Sequence, residues 1–396
     1  MVSVLSQRFG LAHFDLIEDC VQDTMIVAME QWALQGTPHN PEGWLMDVAK
    51  KKLLNQLKRQ HLFDTRISVT WTKTFAQEKT VTLLEENTIQ NAQLRMIFAC
   101  CHPAIQKEAQ LALALKTLCG FGLSEIASAL FINKETLQKQ LYRARQAFKK
   151  EAISLEIPNE AQLASRLEMV LKTLYLLFNE GYFSMQAETV ISKDLCFEAI
   201  RLAQALEQAF PKHTPLKALL ALMFLQFARF ESRLSDTGAL LLFDDQDRSL
   251  WHQPMIMAGM EYLTDSQGEA LTSYHLQAGI LAEYILAKSS AKLDSQQIAK
   301  YYELMLALYP NEVVQLNYAV VLYQIDKKTA AFELLHQLTS TKKLSNHWLL
   351  YYTLGELYQQ ENAPQDALIY FNQCIQTSVP NAFRTKLEEK IALLSS

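Results

Sequence analysis

Six polar residues between Lys134 and Arg145 carry the clearest chemical signal in the sequence. Lys134, Lys139, Arg143 and Arg145 are cations, Thr136 brings a hydroxyl and Gln138 an amide. Arg and Lys can contact phosphates or the acceptor edge of guanine, and Gln can pair with adenine. Leu137, Leu141, Ala144 and Phe148 recur among them at helical spacing, which puts the polar and apolar sets on opposite sides of one helix. Asn133 is a good N-cap, and Glu135 suits the positive end of the helix that follows. Upstream, Leu123, Ile126, Ala127 and Leu130 stand at i, i+3, i+4 and i+7, a shorter helix that breaks at Phe131-Ile132-Asn133. An amphipathic pair joined by a short turn, with the second helix basic, meets the needs of major-groove entry. On these residues alone a basic, solvated helix in an all-helical protein remains the competing reading.

A second charged constellation lies near the start of the chain. Ile17, Cys20, Val21, Thr24, Met25, Ala28, Met29 and Trp32 predict the buried stripe of a helix over 15–32. Its other side carries Asp15, Asp19 and Asp23 with Gln22; like charges at that spacing repel, and a basic protein partner would offset the repulsion. After a polar loop from Ala33 to Asn40, Asn40-Pro41-Glu42 marks a helix start, with Trp44, Leu45, Val48, Ala49, Leu53 and Leu57 as its core side. Lys50, Lys51, Lys52, Lys58 and Arg59 then place five positive charges on a helix reaching about Gln60. Such a helix suits a phosphate backbone, and aromatics beside it could hold an unstacked base.

The chain has 396 residues, 49% of them hydrophobic, enough for two or three domains with sizeable cores. Only 11 Gly and 10 Pro interrupt long 3.6-residue patterns, so an all-α protein is expected. No stretch is long and apolar enough for a membrane span, and residues 1–10 lack the pattern of a signal peptide. The six Cys show no regular spacing, which fits reduced thiols in the cytoplasm. Cys100-Cys101-His102 lacks the two-residue gap of a zinc ligand pair and reads as buried small residues at a helix end. Net charge is −5, but unevenly spread: residues 1–150 hold 18 Lys/Arg against 14 Asp/Glu, a balance of +4, and the remainder stands at −9. A basic N-terminal part beside an acidic C-terminal part suggests separate jobs.

The order of these stretches resembles a known family. Asp19-Cys20-Val21-Gln22-Asp23, then Asn40-Pro41-Glu42-Gly43-Trp44-Leu45, then Val48-Ala49 and the basic run to Arg59 are similar to region 2 of bacterial sigma factors. Ser124-Glu125-Ile126-Ala127 through Thr136 to Leu141-Tyr142-Arg143-Ala144-Arg145 is similar to region 4, and the spacing matches the extracytoplasmic-function (ECF) type. The resemblance implies that Asp19, Gln22 and Asp23 dock on the β′ clamp helices of core RNA polymerase, with the β flap as a further contact. It implies that the loop before Asn40, with Asn40, Trp44, Lys50, Lys51, Lys58 and Arg59, captures the −10 element of promoter DNA. Lys134, Thr136, Gln138, Lys139, Arg143 and Arg145 would read the −35 element. The chain departs from the family pattern in three places: about fourteen residues precede Asp15 where a further helix is usual, Lys51 and Asn55 replace Asn and Asp, and Phe131 replaces the turn Gly.

The expected domains are 1–62 (region 2-like), a linker over 63–92, 93–152 (region 4-like) and a helical-repeat solenoid over 158–396. Within the linker, Ile67-Ser68-Val69-Thr70-Trp71-Thr72 alternates like a short strand, although a flexible connection is the better reading. The clearest repeat is 348–381: Tyr351, Leu354, Gly355, Tyr358, Ala367 and Phe371 fall at relative positions 0, 3, 4, 7, 16 and 20, with Pro380 to follow. That is the tetratricopeptide pattern, in which small residues let two helices approach and large ones fill the gap. A degenerate unit upstream runs through Tyr302, Pro310, Leu316, Ala319, Val320 and Tyr323. Repeats of this kind are scaffolds for protein or peptide partners. Phe178-Asn179-Glu180-Gly181-Tyr182 and Asp244-Asp245-Gln246-Asp247-Arg248 are expected between helices. With Leu195 to Leu206 and Tyr274-His275-Leu276-Gln277-Ala278, they resemble the C-terminal extension of one ECF group, where it implies tuning of sigma activity.

No Gly-rich phosphate loop, nucleophile elbow or two-His zinc helix is present, so neither catalysis nor a cofactor or metal is expected. The sequence reading is thus a sigma factor of ECF type with a helical-repeat regulatory domain. A stand-alone helix-turn-helix regulator with a repeat-domain sensor is the alternative, and the Asp19/Gln22/Asp23 face discriminates the two.

Overall fold

The computed structural model describes residues 1–61, 86–129, 132–158, 160–183, 190–233, 241, 243–268, 271–287, 292–341, 344–345, 347–377, 379 and 381–395. Among these residues every regular element is a helix, as the sparse Gly and Pro and the helical periods require. The strand-like stretch 67–72 with most of the expected linker, the turn residue Phe131 and Pro380 lie outside the described residues. The chain divides into two compact units, Met1–Pro211 and Lys212–Ser396.

The first unit opens with α1 (Val2–Phe9), a short 3-10 turn (Leu11–His13), α2 (Phe14–Gln35) and α3 (Pro41–His61). A helix therefore does stand ahead of Asp15. Asn40 caps α3 as its position predicts, its Oδ1 accepting the Gly43 N–H at 2.9 Å. Val4, Leu5, Ile17, Cys20, Met46, Ala49, Leu53 and Leu57 share one buried cluster, and Ala92 belongs to it too. Ala92 sits on α4 (Glu86–Cys100), so the stretches before and after residues 62–85 close over a common core. The buried side of α3 is rotated from expectation: Met46 is buried, whereas Trp44, Leu45 and Val48 are half-buried.

Helix α4 is followed by α5 (Lys107–Cys119), α6 (Leu123–Ala129) and α7 (Lys134–Lys150). Cys100 and Cys101 are buried at the C-terminal end of α4, and burial pushes the Cys101 thiol up to about 12. Gly120, with φ of 69°, ends α5 in the left-handed conformation and turns the chain toward α6. The reciprocal device starts α6, where the Gly122 N–H donates to Glu125 Oε2 at 2.6 Å.

Helices α8 (Glu160–Phe183) and α9 (Val190–Ala209) form a hairpin that also packs on α4. Arg201 Nε and Gln93 Nε2 both donate to Glu198, at 2.9 and 3.1 Å, which ties α9 to α4. This hairpin lies within the first unit, past the boundary expected at 158. Phe178 to Tyr182 correct one expectation: they continue α8 to its last turns instead of linking helices. Phe178 and Tyr182, four residues apart, stack at 5.6 Å on its buried side, so the apolar period runs through Asn179-Glu180-Gly181.

The second unit begins with α10 (Thr214–Phe227), whose residues Ala218 to Leu225 are all buried; a helix apolar all round must be enclosed. Two short 3-10 turns (Phe243–Asp245 and Arg248–Leu250) precede α11 (Gln253–Asp265), so Asp244 to Arg248 do lie between helices. Then come α12 (Ser273–Leu286), α13 (Ser295–Leu308), α14 (Glu312–Gln324), α15 (Lys328–Thr339), α16 (Trp348–Gln360), α17 (Pro364–Ile375) and α18 (Asn381–Ser395). From α12 onward each packs on the next. In the α16–α17 pair, Leu354, Ala367 and Phe371 are fully buried. A Cβ on Gly355 would meet the Phe371 ring at 2.5 Å, so the absent side chain is what lets these two helices approach.

Candidate nucleic-acid interface

Helix α7 is built as its sequence predicts. Asn133 accepts the Thr136 N–H at 2.8 Å through Oδ1, and Leu137, Leu141, Ala144 and Phe148 are buried. Lys134, Thr136, Gln138, Lys139 and Arg143 are exposed on the outward side. They form rows three and four residues apart, which gives one continuous polar face. Tyr142 stands in its middle, 65% exposed between Lys139 and Arg143, and sequence reasoning gave it no role. Its spacing from Gln138, one turn back, was the available signal.

Arg145 departs from this set. Its guanidinium lies against α2, with Nη2 2.6 Å from Glu18 Oε2 and Nε 4.0 Å from Asp15. One turn on, Lys149 Nζ meets Asp15 Oδ2 at 2.7 Å. Between the ion pairs Phe148 packs edge-on against Phe14, centroids 5.4 Å apart, and the Arg145 guanidinium covers the Phe14 ring at 5.9 Å. Burial raises the Glu18 carboxyl above the ordinary glutamate range, and Arg145 and then Lys116 work against that rise. Phe14, Ile17, Glu18 and Val21 share the inward stripe of α2; a carboxylate in such a stripe demands a cation, a signal the sequence reading passed over.

On α2, Asp19, Gln22 and Asp23 are exposed together. Met25 and Met29 were expected in the buried stripe, but Met29 is 76% exposed and Met25 is also on the surface. Ile26 and Leu34 join them, so the acidic group continues into an apolar strip. The misreading has a physical cause: α2 has apolar residues on more than one side, and the period does not say which side meets the core.

The expected −10 set is only partly brought together. Trp44 stacks edge-on with Trp32 at 5.6 Å, a half-buried pair beside the Asn40 turn. Lys51 is exposed. Lys50, by contrast, is 7% exposed, because it stands one turn after Met46 and flanks the core side of α3. Lys52 is turned to α2, donating to the Asp23 carbonyl at 2.9 Å. The side chains of Lys58 and Arg59 lie outside the described residues.

Elsewhere, polar groups are committed to structure. Nδ1 of His213, His252 and His347 each accepts a backbone N–H at a helix start, and His275 serves the start of α12. Burial lowers the pKa of His213, His275 and His347, which keeps those rings neutral as acceptors. A cavity of about 450 Å³ in the second unit is lined by Phe243, Arg248, Tyr284, Tyr323 and Lys328. Both cations are engaged: Lys328 pairs with Glu361 at 2.7 Å, and Arg248 donates to the Ala287 carbonyl while covering Trp251 at 4.7 Å. Among the described residues no group of three or more His, Cys, Asp or Glu is placed to hold a metal ion, and no helix is long and apolar enough to cross a membrane.

Comparison with known proteins adds two matches. Residues 166–267 match the family model described as "Family of unknown function (DUF6596)". An uncharacterized protein of Rhizobium meliloti (strain 1021) is 30% identical over 384 residues, covering 95% of this chain and 90% of its own. No solved structure matches. At that identity over nearly the full length of both proteins, the chain belongs to the same family as the Rhizobium meliloti protein.

Proposed function

We propose that this protein is a sigma factor of the ECF type, which binds core RNA polymerase and directs it to promoters. The observation that carries the reading is the α6–α7 pair. A capped helix behind a short turn buries Leu137, Leu141, Ala144 and Phe148, and turns Lys134, Thr136, Gln138, Lys139 and Arg143 outward. In this reading those residues read the −35 element, with Tyr142 available to pack on the DNA. The exposed Asp19, Gln22 and Asp23 on α2 support docking on the polymerase clamp, and the neighbouring Met25, Ile26 and Met29 supply apolar area that a DNA contact would not need. Trp44, Asn40 and Lys51 support capture of the −10 element; Lys50 is withdrawn from that role by its burial. The second unit is a tetratricopeptide-like scaffold that tunes sigma activity through a protein or peptide partner, supported by the Gly355–Phe371 approach in α16–α17. The protein works in the cytoplasm without chemistry of its own.

DNA binding tests the reading directly. The Lys139→Ala/Arg143→Ala chain should lose affinity for duplex DNA and show a shallower dependence on salt than the parent. Equal binding by the two chains at every salt concentration would remove α7 from the interface.

A further inference from the structure

In the described chain two of the basic groups on α7 are occupied by α2. Arg145 and Lys149 lie one turn apart, and they meet Glu18 at 2.6 Å and Asp15 at 2.7 Å. Asp15 and Glu18 thus present to α7 what DNA would present, anionic oxygens spaced along a rod. The contact is closed by an apolar seam, since Phe14 and Phe148 are both fully buried in edge-to-face contact. The two halves of α7 therefore differ. Lys134, Thr136, Gln138, Lys139 and Arg143 face outward, whereas Arg145, Phe148 and Lys149 are docked on a helix more than a hundred residues upstream in sequence.

We infer that the Asp15/Glu18–Arg145/Lys149 contact is a latch that holds the DNA-reading helix closed against α2, so that phosphates must displace these carboxylates before α7 seats fully in a groove. The inference rests on the DNA-reading assignment of α7. A helix in the major groove needs clearance along its flanks, and the C-terminal turns of α7 lack it while Phe148 lies on Phe14. Ion pairs open to solvent are also suited to switching: the Arg145 side chain is 27% exposed, and those of Asp15 and Lys149 are 43% exposed. Solvent screens pairs this exposed and leaves them little net stability, so exchanging carboxylate for phosphate changes little except the partner. Asp19 and Asp23, on the same helix, face solvent and take no part.

The test uses the full chain carrying Asp15→Asn/Glu18→Gln, with Glu156→Gln/Glu168→Gln, at two exposed positions, as a control that removes the same charge outside the latch. Two quantities are read: the distance between spin labels on Glu30→Cys in α2 and Gln146→Cys in α7, both exposed positions, and affinity for a mixed-sequence DNA duplex. The latch variant should lengthen the mean label distance and bind the duplex about threefold more tightly, the gain expected when an open form goes from about a tenth of the population to about a third. The control should change neither beyond the modest effect of net charge. An unchanged label distance, or an equal gain in affinity by the control, would overturn the latch while leaving DNA binding intact. A lengthened distance with no duplex binding by any of the three chains would instead overturn the DNA-reading assignment, and the gate with it. Unchanged helicity and melting temperature in the latch variant establish that it is folded.

Discussion

Helices α2 and α7 are both long, amphipathic and charged, yet one was legible in the sequence and the other was not. In α7 the polar side holds hardly an apolar residue, so Leu137, Leu141, Ala144 and Phe148 could face only inward. In α2 apolar residues continue around the helix; Ile17, Cys20 and Ala28 took the core, and Met25, Ile26, Met29 and Leu34 were left in solvent. Apolar surplus on a helix is uninformative about its inward side but informative about its outward one. A strip of that kind beside Asp19 and Asp23 is the surface on which the proposed polymerase contact rests.

The largest expected effect breaks the better-read helix. Phe148→Ala should cost about 3–5 kcal/mol of stability, since the ring is fully buried against Phe14 and its loss leaves a cavity. Denaturant unfolding measures this, and a cost within about 0.5 kcal/mol would mean that the seam between α2 and α7 does not form in solution. The outward strip of α2 predicts the opposite pattern. Met29→Ser should leave stability within about 0.5 kcal/mol, because the side chain is exposed, but should weaken capture of core polymerase severalfold. Loss of stability without loss of capture would return Met29 to a structural role.

The smallest effect concerns Glu18. Its carboxyl is raised above the ordinary range, chiefly by burial, so the folded chain binds that proton more tightly than the unfolded one. Stability from this group is therefore fully present below the ordinary glutamate value and declines as pH rises through the raised one. Glu18→Gln should remove that decline and change stability at neutral pH by no more than about 1 kcal/mol, since burial and the Arg145 pair oppose one another. Melting curves across the acid range check the sign. Wild-type stability that gains on the Gln variant as pH rises would show the ion pair to dominate.

Where the sequence was legible, one residue type had one physical use. Asn133 and Asn40 cap α7 and α3 as their positions predict, and Gly355 meets Phe371 where the spacing of the last repeat placed them. Long-range pairing was not legible. Arg145 is of the same type as Arg143 but stands four residues after Leu141 and three before Phe148, on the flank of the buried stripe, and its docking partner Glu18 is known only from the folded chain. Lys50 belongs to a basic run whose charge is plain, but helical rotation carries it toward the core while Lys51 faces out. Phe178 to Tyr182 carried polar residues and a Gly that suggest a loop, and the stacked pair four residues apart kept the helix going. The affiliation of α8–α9 with the first unit has the same origin, since Gln93, Glu198 and Arg201 meet only after folding.

Capture of purified core RNA polymerase by the full chain tests the central claim most directly, run beside the Asp19→Lys/Asp23→Lys chain. The sigma-factor reading predicts stoichiometric capture by the parent and a loss of roughly tenfold or more on charge reversal, as for opposed charges at an interface core. Capture by neither chain, with duplex DNA binding intact, would contradict it and leave a DNA-binding regulator that never engages polymerase.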